Sequence, residues 1–260
     1  MKELKGIKQL IIKYKFLVFF CVILGLMGLI SLFLFRNDNL KPEHIKNGSN
    51  ICICMWYDEG VREYSDIAKQ INKKYCKTYN YDFIYDNIRR LPDRKPHWER
   101  IPLIKKILNE YNYDYVIWID SDAFFRKNNS ILLENIINKY NKEIIFSEDI
   151  NNGEKHNSII NSGIIILKNT EYTKKILDYW SKKECFDKRI DREFEDQGCI
   201  RYTHKENIYN LKDRSIILPF GELQTFKEDE HNNSLIIHLA GIGKEKRIKI
   251  ITKYRDKYNI

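Results

Sequence analysis

Residues 115–125 read Tyr-Val-Ile-Trp-Ile-Asp-Ser-Asp-Ala-Phe-Phe, and this stretch decides the fold. Tyr115 to Ile119 is a short apolar run rich in β-branched and aromatic side chains, the composition of a strand buried on both faces of a parallel sheet. It ends in Asp120-Ser121-Asp122. Two carboxylates one residue apart at the mouth of a strand can converge on one hard cation, Mn²⁺ or Mg²⁺, which takes oxygen ligands. Such a cation would grip the two phosphates of a nucleotide-diphosphate substrate and neutralise charge on a departing diphosphate. The competing reading is a pair of aspartates capping a turn. A lone D-x-D arises often by chance, but the apolar runs on both sides of this one favour the metal.

Working outward, Ile51 to Trp56 (ICICMW) is another buried-strand run, and Val61, Tyr64, Ala68, Ile71 and Tyr75 recur at helical spacing. Tyr81 to Tyr85 reads as a second strand, followed by a polar loop with Pro92 and Pro96. Trp98 to Tyr111 reads as a helix with Ile101, Ile104, Leu108 and Tyr111 on one face and Pro102 in its first turn. Strand, helix, strand, helix, strand predicts βαβ units on a parallel sheet, a Rossmann-like α/β domain. Ligands of such sheets bind beyond the carboxyl ends of the strands, where Asp120 and Asp122 stand. Further strands are expected at 144–146, 164–167 and 235–238, and helices at 170–183 and 195–204.

Four other groups carry candidate chemistry. The apolar run Leu235-Ile236-Ile237 delivers His238 to a strand end, followed by Leu239-Ala240-Gly241-Ile242-Gly243-Lys244. An imidazole there could complete the metal shell, Gly241 could allow close backbone approach, and Lys244 could reach a phosphate. The plainer reading is a core histidine followed by a solvated basic run. Asn161 and Ser162 could hydrogen-bond sugar hydroxyls, with Gly163 leaving room for the sugar; the alternative is an ordinary turn. Glu195-Asp196-Gln197 opens a helix, where Gln197 could present its amide to a reacting carbon and Asp196 orient a hydroxyl, or the acids could simply favour the helix start. Arg100 and Lys105 read as about one turn apart, facing phosphate or sugar, or else solvent.

The chain has 260 residues, and 16–35 is an uncharged apolar run. A helix of that length rises about 30 Å, enough to cross a membrane. Lys2, Lys5, Lys8, Lys13 and Lys15 precede it, while only Arg36 and Lys41 follow closely. The positive-inside bias therefore predicts a cytoplasmic tail (1–15), a single-pass type II signal anchor (16–35), a short stem (36–50) and a non-cytoplasmic domain (51–260). The net charge of +9 is partly that of the tail. The rest is scattered, without a basic-aromatic stripe, so no nucleic-acid partner is expected. Cys21 falls in the span, and the five remaining cysteines show no zinc spacing and no readable disulfide pairing. Asn47, Asn128 and Asn232 begin N-x-S sequons.

Taken in order, HWERIPLIKKIL (97–108), VIWIDSDAFF (116–125), NSGIIILKN (161–169), EDQ (195–197) and HLAGIGK (238–244) resemble a known family. This is the Golgi α-glycosyltransferase family of fungal α-1,2-galactosyltransferases, fungal α-1,6-mannosyltransferase subunits and plant xyloglucan xylosyltransferases. The resemblance implies a GT-A fold in one domain and retaining transfer of galactose, mannose or xylose from a UDP- or GDP-linked donor to a glycan or glycoprotein. It implies Asp120, Asp122 and His238 as ligands of Mn²⁺ (or Mg²⁺), Lys244 as a diphosphate contact, and Gln197 beside the anomeric carbon. The family usually shows Glu-Gln where this chain has Asp196-Gln197, which keeps the charge. A Golgi location follows if the host is eukaryotic, and homo- or hetero-oligomers with other glycosyltransferases are compatible with it. The rival reading is a catalytically silent subunit with the same fold, although a scaffold has no need of an intact Asp120, Asp122, His238 and Lys244 set.

Overall fold

The chain enters the described region through a three-residue strand, β1 (Glu43–Ile45), and continues into β2 (Ile51–Trp56), whose six residues are all buried. The computed structural model describes residues 42–126, 132–151, 154–187, 195–226 and 234–259. The expected tail and anchor lie outside the described residues, as does the stem up to residue 41. Among the described residues no helix is long and apolar enough to cross a membrane.

Helix α1 (Arg62–Tyr79) buries Ala68, Ile71 and Tyr75 and ends on Asn80, whose φ of 61° is a left-handed cap that asparagine tolerates. Then come β3 (Asp82–Asp86), helix α2 (Arg100–Glu110) and β4 (Tyr115–Ile119). β2 pairs parallel with β3 on one side and with β4 on the other, so Cys54 lies opposite both Ile84 and Trp118. The strand order therefore reverses beside β2, and the crevice at the carboxyl ends of β2 and β4 is the place where open α/β sheets bind ligands.

Beyond β4 the chain forms β5 (Ala123–Phe125), α3 (Leu133–Tyr140), β6 (Ile144–Asn151), β7 (Glu154–Lys168), α4 (Glu171–Ser181), α5 (Lys183–Asp187) and α6 (Glu195–Lys205). It closes with α7 (Leu211–Arg214), β8 (Ser215–Leu218), β9 (Gln224–Phe226), β10 (Ile236–His238) and α8 (Lys244–Tyr258). The main sheet runs β1-β3-β2-β4-β7-β6-β8, and a small sheet runs β5-β10-β9. Buried Asn72 of α1 holds β5 as a neighbouring strand would: its amide donates to Ala123 O and its carbonyl accepts Phe125 N–H, both at 3.0 Å. On one face of the main sheet, Trp98, Ile104, Leu108, Trp118, Phe146 and Trp180 belong to one buried cluster.

Several expectations shift. Glu43–Ile45, read as stem, pairs antiparallel with Phe83–Tyr85, so the sheet begins before Ile51. The strand expected at 164–167 runs from Glu154, and its pairing with β6 jumps from Phe146↔Ile165 to Ser147↔Asn161. Ser162 and Gly163 therefore sit in a bulge within a strand rather than in a turn before one, the kind of irregularity that re-aims side chains at sites. Lys244 to Lys249, whose alternative reading was a solvated basic run, is largely exposed and opens α8, which buries Ile250, Ile251 and Tyr254 further along. Cys185 and Cys199, unpairable by spacing, form a disulfide between α5 and α6.

Candidate active site

Three distant segments meet beyond the end of β4. Asp120 N–H donates to Gly163 O at 2.8 Å, Ala123 N–H closes a turn onto Asp120 O at 2.9 Å, and Leu239 N–H donates to Asp122 O at 3.0 Å. Backbone hydrogen bonds thus tie the two aspartates to the β7 bulge and to the end of β10. Gly163 is required there for a reason other than sugar access. A Cβ at this position would lie 2.1 Å from His238 Cε1, so the missing side chain makes room for the imidazole.

The side chains are arranged oxygen by oxygen. Asp120 Oδ1 accepts Trp118 Nε1–H at 2.7 Å and faces Arg100 Nη2 at 3.3 Å, leaving Oδ2 at 3.7 Å from His238 Nε2. Asp122 Oδ2 pairs with Arg247 Nη2 at 2.9 Å, leaving Oδ1 at 3.3 Å from the same nitrogen. Ligand atoms of Asp120, Asp122 and His238 lie within 4.8 Å of one another. Two carboxylate oxygens and one imidazole nitrogen suit Mn²⁺ or Mg²⁺, and each aspartate's other oxygen is already occupied. Burial opposes the charge on His238, but Asp122 and Asp120 beside it outweigh burial and hold its pKa above the usual value. Burial likewise works against ionised Asp122, but His238 and Arg247 hold its pKa below the usual carboxylate range. The field that favours an imidazolium here also favours a divalent cation.

Arg100 is a buried hub. Nη1 donates to Ser162 O, Nη2 faces Asp120, and Nε donates to His97 O at 3.2 Å. Nε also lies 2.7 Å from Asp196 Oδ2, but its hydrogen is directed to His97, so the pair is ionic without a hydrogen bond. Burial pushes the Asp196 carboxyl up to about 6, with Arg100 opposing it. Because the folded state holds this proton more tightly than an unfolded aspartate would, it contributes stability at low pH that is lost as pH rises from about 4 to about 6. The loss is on the order of 3 kcal/mol. Chemical denaturation across that range should show this fall in the unaltered chain and its disappearance in Asp196→Asn.

Gln197 Oε1 accepts both Ser162 N–H at 2.7 Å and Ser162 Oγ–H at 3.1 Å. With its carbonyl used, Gln197 has its NH₂ donors for a ligand in the cavity that it lines. Asn161 Oδ1 accepts Gly163 N–H at 2.9 Å and helps hold the bulge.

Two cavities meet at His97, Arg100, Asp120 and Asp122. The first, about 690 Å³, is also lined by Asn161, Ser162, Gly163, Asp196, Gln197 and Gly241. Asp149 and Arg201, 2.6 Å apart, and Phe226 and Glu195 complete its far side. The second, about 300 Å³, lies at the carboxyl end of β2 against Trp56, Tyr57, Tyr64 and Arg247.

Of the residues singled out from sequence, the structure brings together Asp120, Asp122, His238, Arg100, Asn161, Ser162, Gly163, Asp196, Gln197 and Gly241. Lys244 lines neither cavity; it starts α8 and pairs with exposed Glu63 at 3.2 Å. Lys105 pairs with Asp178 at 2.7 Å, away from Arg100, because five residues advance a helix about 140° beyond a full turn. Arg247, Gln224, His97, Asp149 and Arg201 were not singled out. A helical reading of 244–258 would have put Arg247 one turn from Lys244, but no local signal marks Gln224.

The sequence profile of the galactosyl transferase GMA12/MNN10 family matches residues 48–249. The chain belongs to this family. Among its relatives are galactomannan galactosyltransferase 1 of Cyamopsis tetragonoloba, 25% identical over 107 residues (41% of this chain and 25% of the relative). Xyloglucan 6-xylosyltransferase 4 of Arabidopsis thaliana is 25% identical over 121 residues (44% and 23%). The matched stretch thus spans about a quarter of those plant proteins. A glycosyltransferase involved in glycosylation of the major capsid of PBCV-1 superposes with a TM-score of 0.62 at 17% identity, over 78% of this chain and 98% of that one. An active-site mutant of LgtC superposes with a TM-score of 0.51 at 10% identity, over 79% and 95%. These likenesses show the fold, a GT-A-like α/β domain.

Proposed function

We propose that the chain is an active retaining glycosyltransferase that moves a galactosyl, xylosyl or mannosyl unit from a UDP- or GDP-linked donor to a glycan. The observation that carries this reading is the convergence of Asp120 Oδ2, Asp122 Oδ1 and His238 Nε2 at the junction of two cavities. The smaller cavity suits a nucleoside against Trp56 and Tyr57, and the larger suits the sugar and the acceptor. The diphosphate then lies at the junction, between the Arg100 and Arg247 sides. Asp120, Asp122 and His238 would hold Mn²⁺ or Mg²⁺, which supplies Lewis-acid stabilisation of the leaving diphosphate.

The residues around the sugar favour same-face transfer. Among the described residues lining the larger cavity away from the metal set, Asp149 is paired with Arg201, Glu195 with Lys95 and Asp196 with Arg100. None is a free carboxylate suited to act as a nucleophile or base. In the proposed step the bond from the anomeric carbon to the diphosphate oxygen breaks, and the acceptor oxygen bonds that carbon from the same side. The acceptor proton passes to the leaving phosphate oxygen. Gln197 NH₂ is placed to donate to substrate oxygens, and Asp196 and Arg100 hold the bulge that carries Ser162. The type II anchor predicted at 16–35 remains part of this reading, with Golgi residence in a eukaryotic host. The Cys185–Cys199 disulfide supports an oxidising, non-cytoplasmic side.

The test is a donor panel. The chain, purified in detergent, is incubated with Mn²⁺ and each common UDP- and GDP-sugar while nucleotide release is followed. Release from one donor, abolished by EDTA, is expected. No release from any donor, with no metal-dependent nucleotide binding either, would point to the silent-subunit reading, whereas binding without release would mean that the acceptor or a partner chain is missing.

A further inference from the structure

The imidazole of His238 is held from behind by one side chain. Gln224, on β9, is fully buried. β9 pairs parallel with β10, with Gln224 opposite Ile236 and Phe226 opposite His238. Residues 236 and 238 share a face of β10, so Gln224 stands on the same face as His238. Its Oε1 lies 3.0 Å from His238 Nδ1. On the other sides, the bare Cα of Gly163 and the ring of Phe226, at 5.9 Å, confine the imidazole.

A neutral imidazole carries one proton, and a ligating nitrogen must not hold it. Once the imidazole is neutral, as ligation requires, the Gln224 carbonyl turned to Nδ1 keeps the remaining proton on Nδ1 and leaves the Nε2 lone pair to a metal between His238, Asp120 and Asp122. With the amide turned round, NH₂ would donate to Nδ1, and the proton would move to Nε2 and block ligation. The observed orientation leaves Gln224 Nε2 buried and without a partner among the described residues. An unpaired buried donor costs about 1–3 kcal/mol, and a site that retains such a cost calls for a functional explanation.

We propose that Gln224 is the positioning residue that fixes the metal-binding tautomer and ring orientation of His238. The inference rests on the reading of Asp120, Asp122 and His238 as a metal site. The amide's own preference for its second donor is given up in exchange for an acceptor at Nδ1.

The test is Mn²⁺ binding by the full chain in detergent, without donor, read by calorimetry or by the electron paramagnetic resonance of free Mn²⁺. Gln224→Met keeps the volume and removes the acceptor, and it should bind Mn²⁺ about 10–100-fold more weakly. Gln224→Glu offers only acceptor oxygens at the same reach, and it should bind at least as tightly as the unaltered chain. Thermal melting in EDTA shows whether each variant folds. If Gln224→Met does not, Gln224→Glu decides, and weaker binding than the unaltered chain overturns the proposal. Equal affinity in Gln224→Met and the unaltered chain overturns the role of Gln224 alone. No Mn²⁺ binding by the unaltered chain overturns the metal reading and this proposal with it.

Discussion

Asp122→Ala is expected to lower donor turnover by on the order of 10³-fold or more. The substitution removes a ligand oxygen from the proposed metal set, and metal stabilisation of a leaving group is worth several kcal/mol. It also removes the partner of two cations, because Asp122 Oδ2 pairs with Arg247 and Oδ1 faces His238. Breaking a buried charge pair from one side costs about 3–5 kcal/mol. His238 can shed its proton and Arg247 reaches solvent, so the lower part of that range is expected for stability. Asp122→Asn separates the two effects, since it retains polar contacts while losing charge. Both variants should fold by circular dichroism and lose Mn²⁺-dependent nucleotide binding. Unaltered donor release by folded Asp122→Ala would refute the role assigned to Asp122.

Gly163→Ala is expected to do comparable damage with a single methyl group. The added Cβ would meet His238 Cε1 at 2.1 Å, His238 Nδ1 at 2.7 Å and Asn161 Oδ1 at 2.9 Å. None of these is the end of a flexible chain, for His238 is buried and held by Gln224. Either the imidazole swings away from Asp120 and Asp122, or β7 shifts and breaks the Asp120 N–H to Gly163 O bond. Overpacking of this kind costs about 1–3 kcal/mol, and displacing the ligand should weaken Mn²⁺ binding by at least about 10-fold. Gly241→Ala is the contrast. No atom lies within 4 Å of its added Cβ, and only its φ of +69° is strained. Melting with and without Mn²⁺ distinguishes them, since ligand binding raises stability by mass action. Gly163→Ala should lose the Mn²⁺-induced rise, and Gly241→Ala should keep it.

The legible half of the site is the half written in short spacings. Tyr115–Ile119 is apolar for long enough to be a buried strand, so the two aspartates after it had to emerge at its carboxyl end. Leu235 to His238 gives the same logic for the imidazole. The roles assigned within the motifs were less secure. Gly163 was read as space for a sugar; it lines the larger cavity and also makes space for His238, because the β7 bulge brings its Cα against the imidazole. Lys244, read as the diphosphate contact, opens α8 and pairs with Glu63, while Arg247, not singled out, is the α8 side chain at the cavity wall. A basic run carries no mark of which residue faces inward until the helix has a neighbour.

The sequence by itself determined the parallel α/β core, the exit points of Asp120, Asp122 and His238, and the helix that carries Asp196 and Gln197. These depend on period and composition over a few residues, which side-chain burial imposes locally. Only the tertiary structure decided which oxygen of each aspartate is free, that Gln224 stands behind His238, that Arg100 links Asp120, Ser162 and Asp196, and that Cys185 joins Cys199. Each of these is a contact between segments whose meeting is set by sheet order and by a bulge. Hydrogen bonds and charge pairs at such distances leave no periodic trace in the chain.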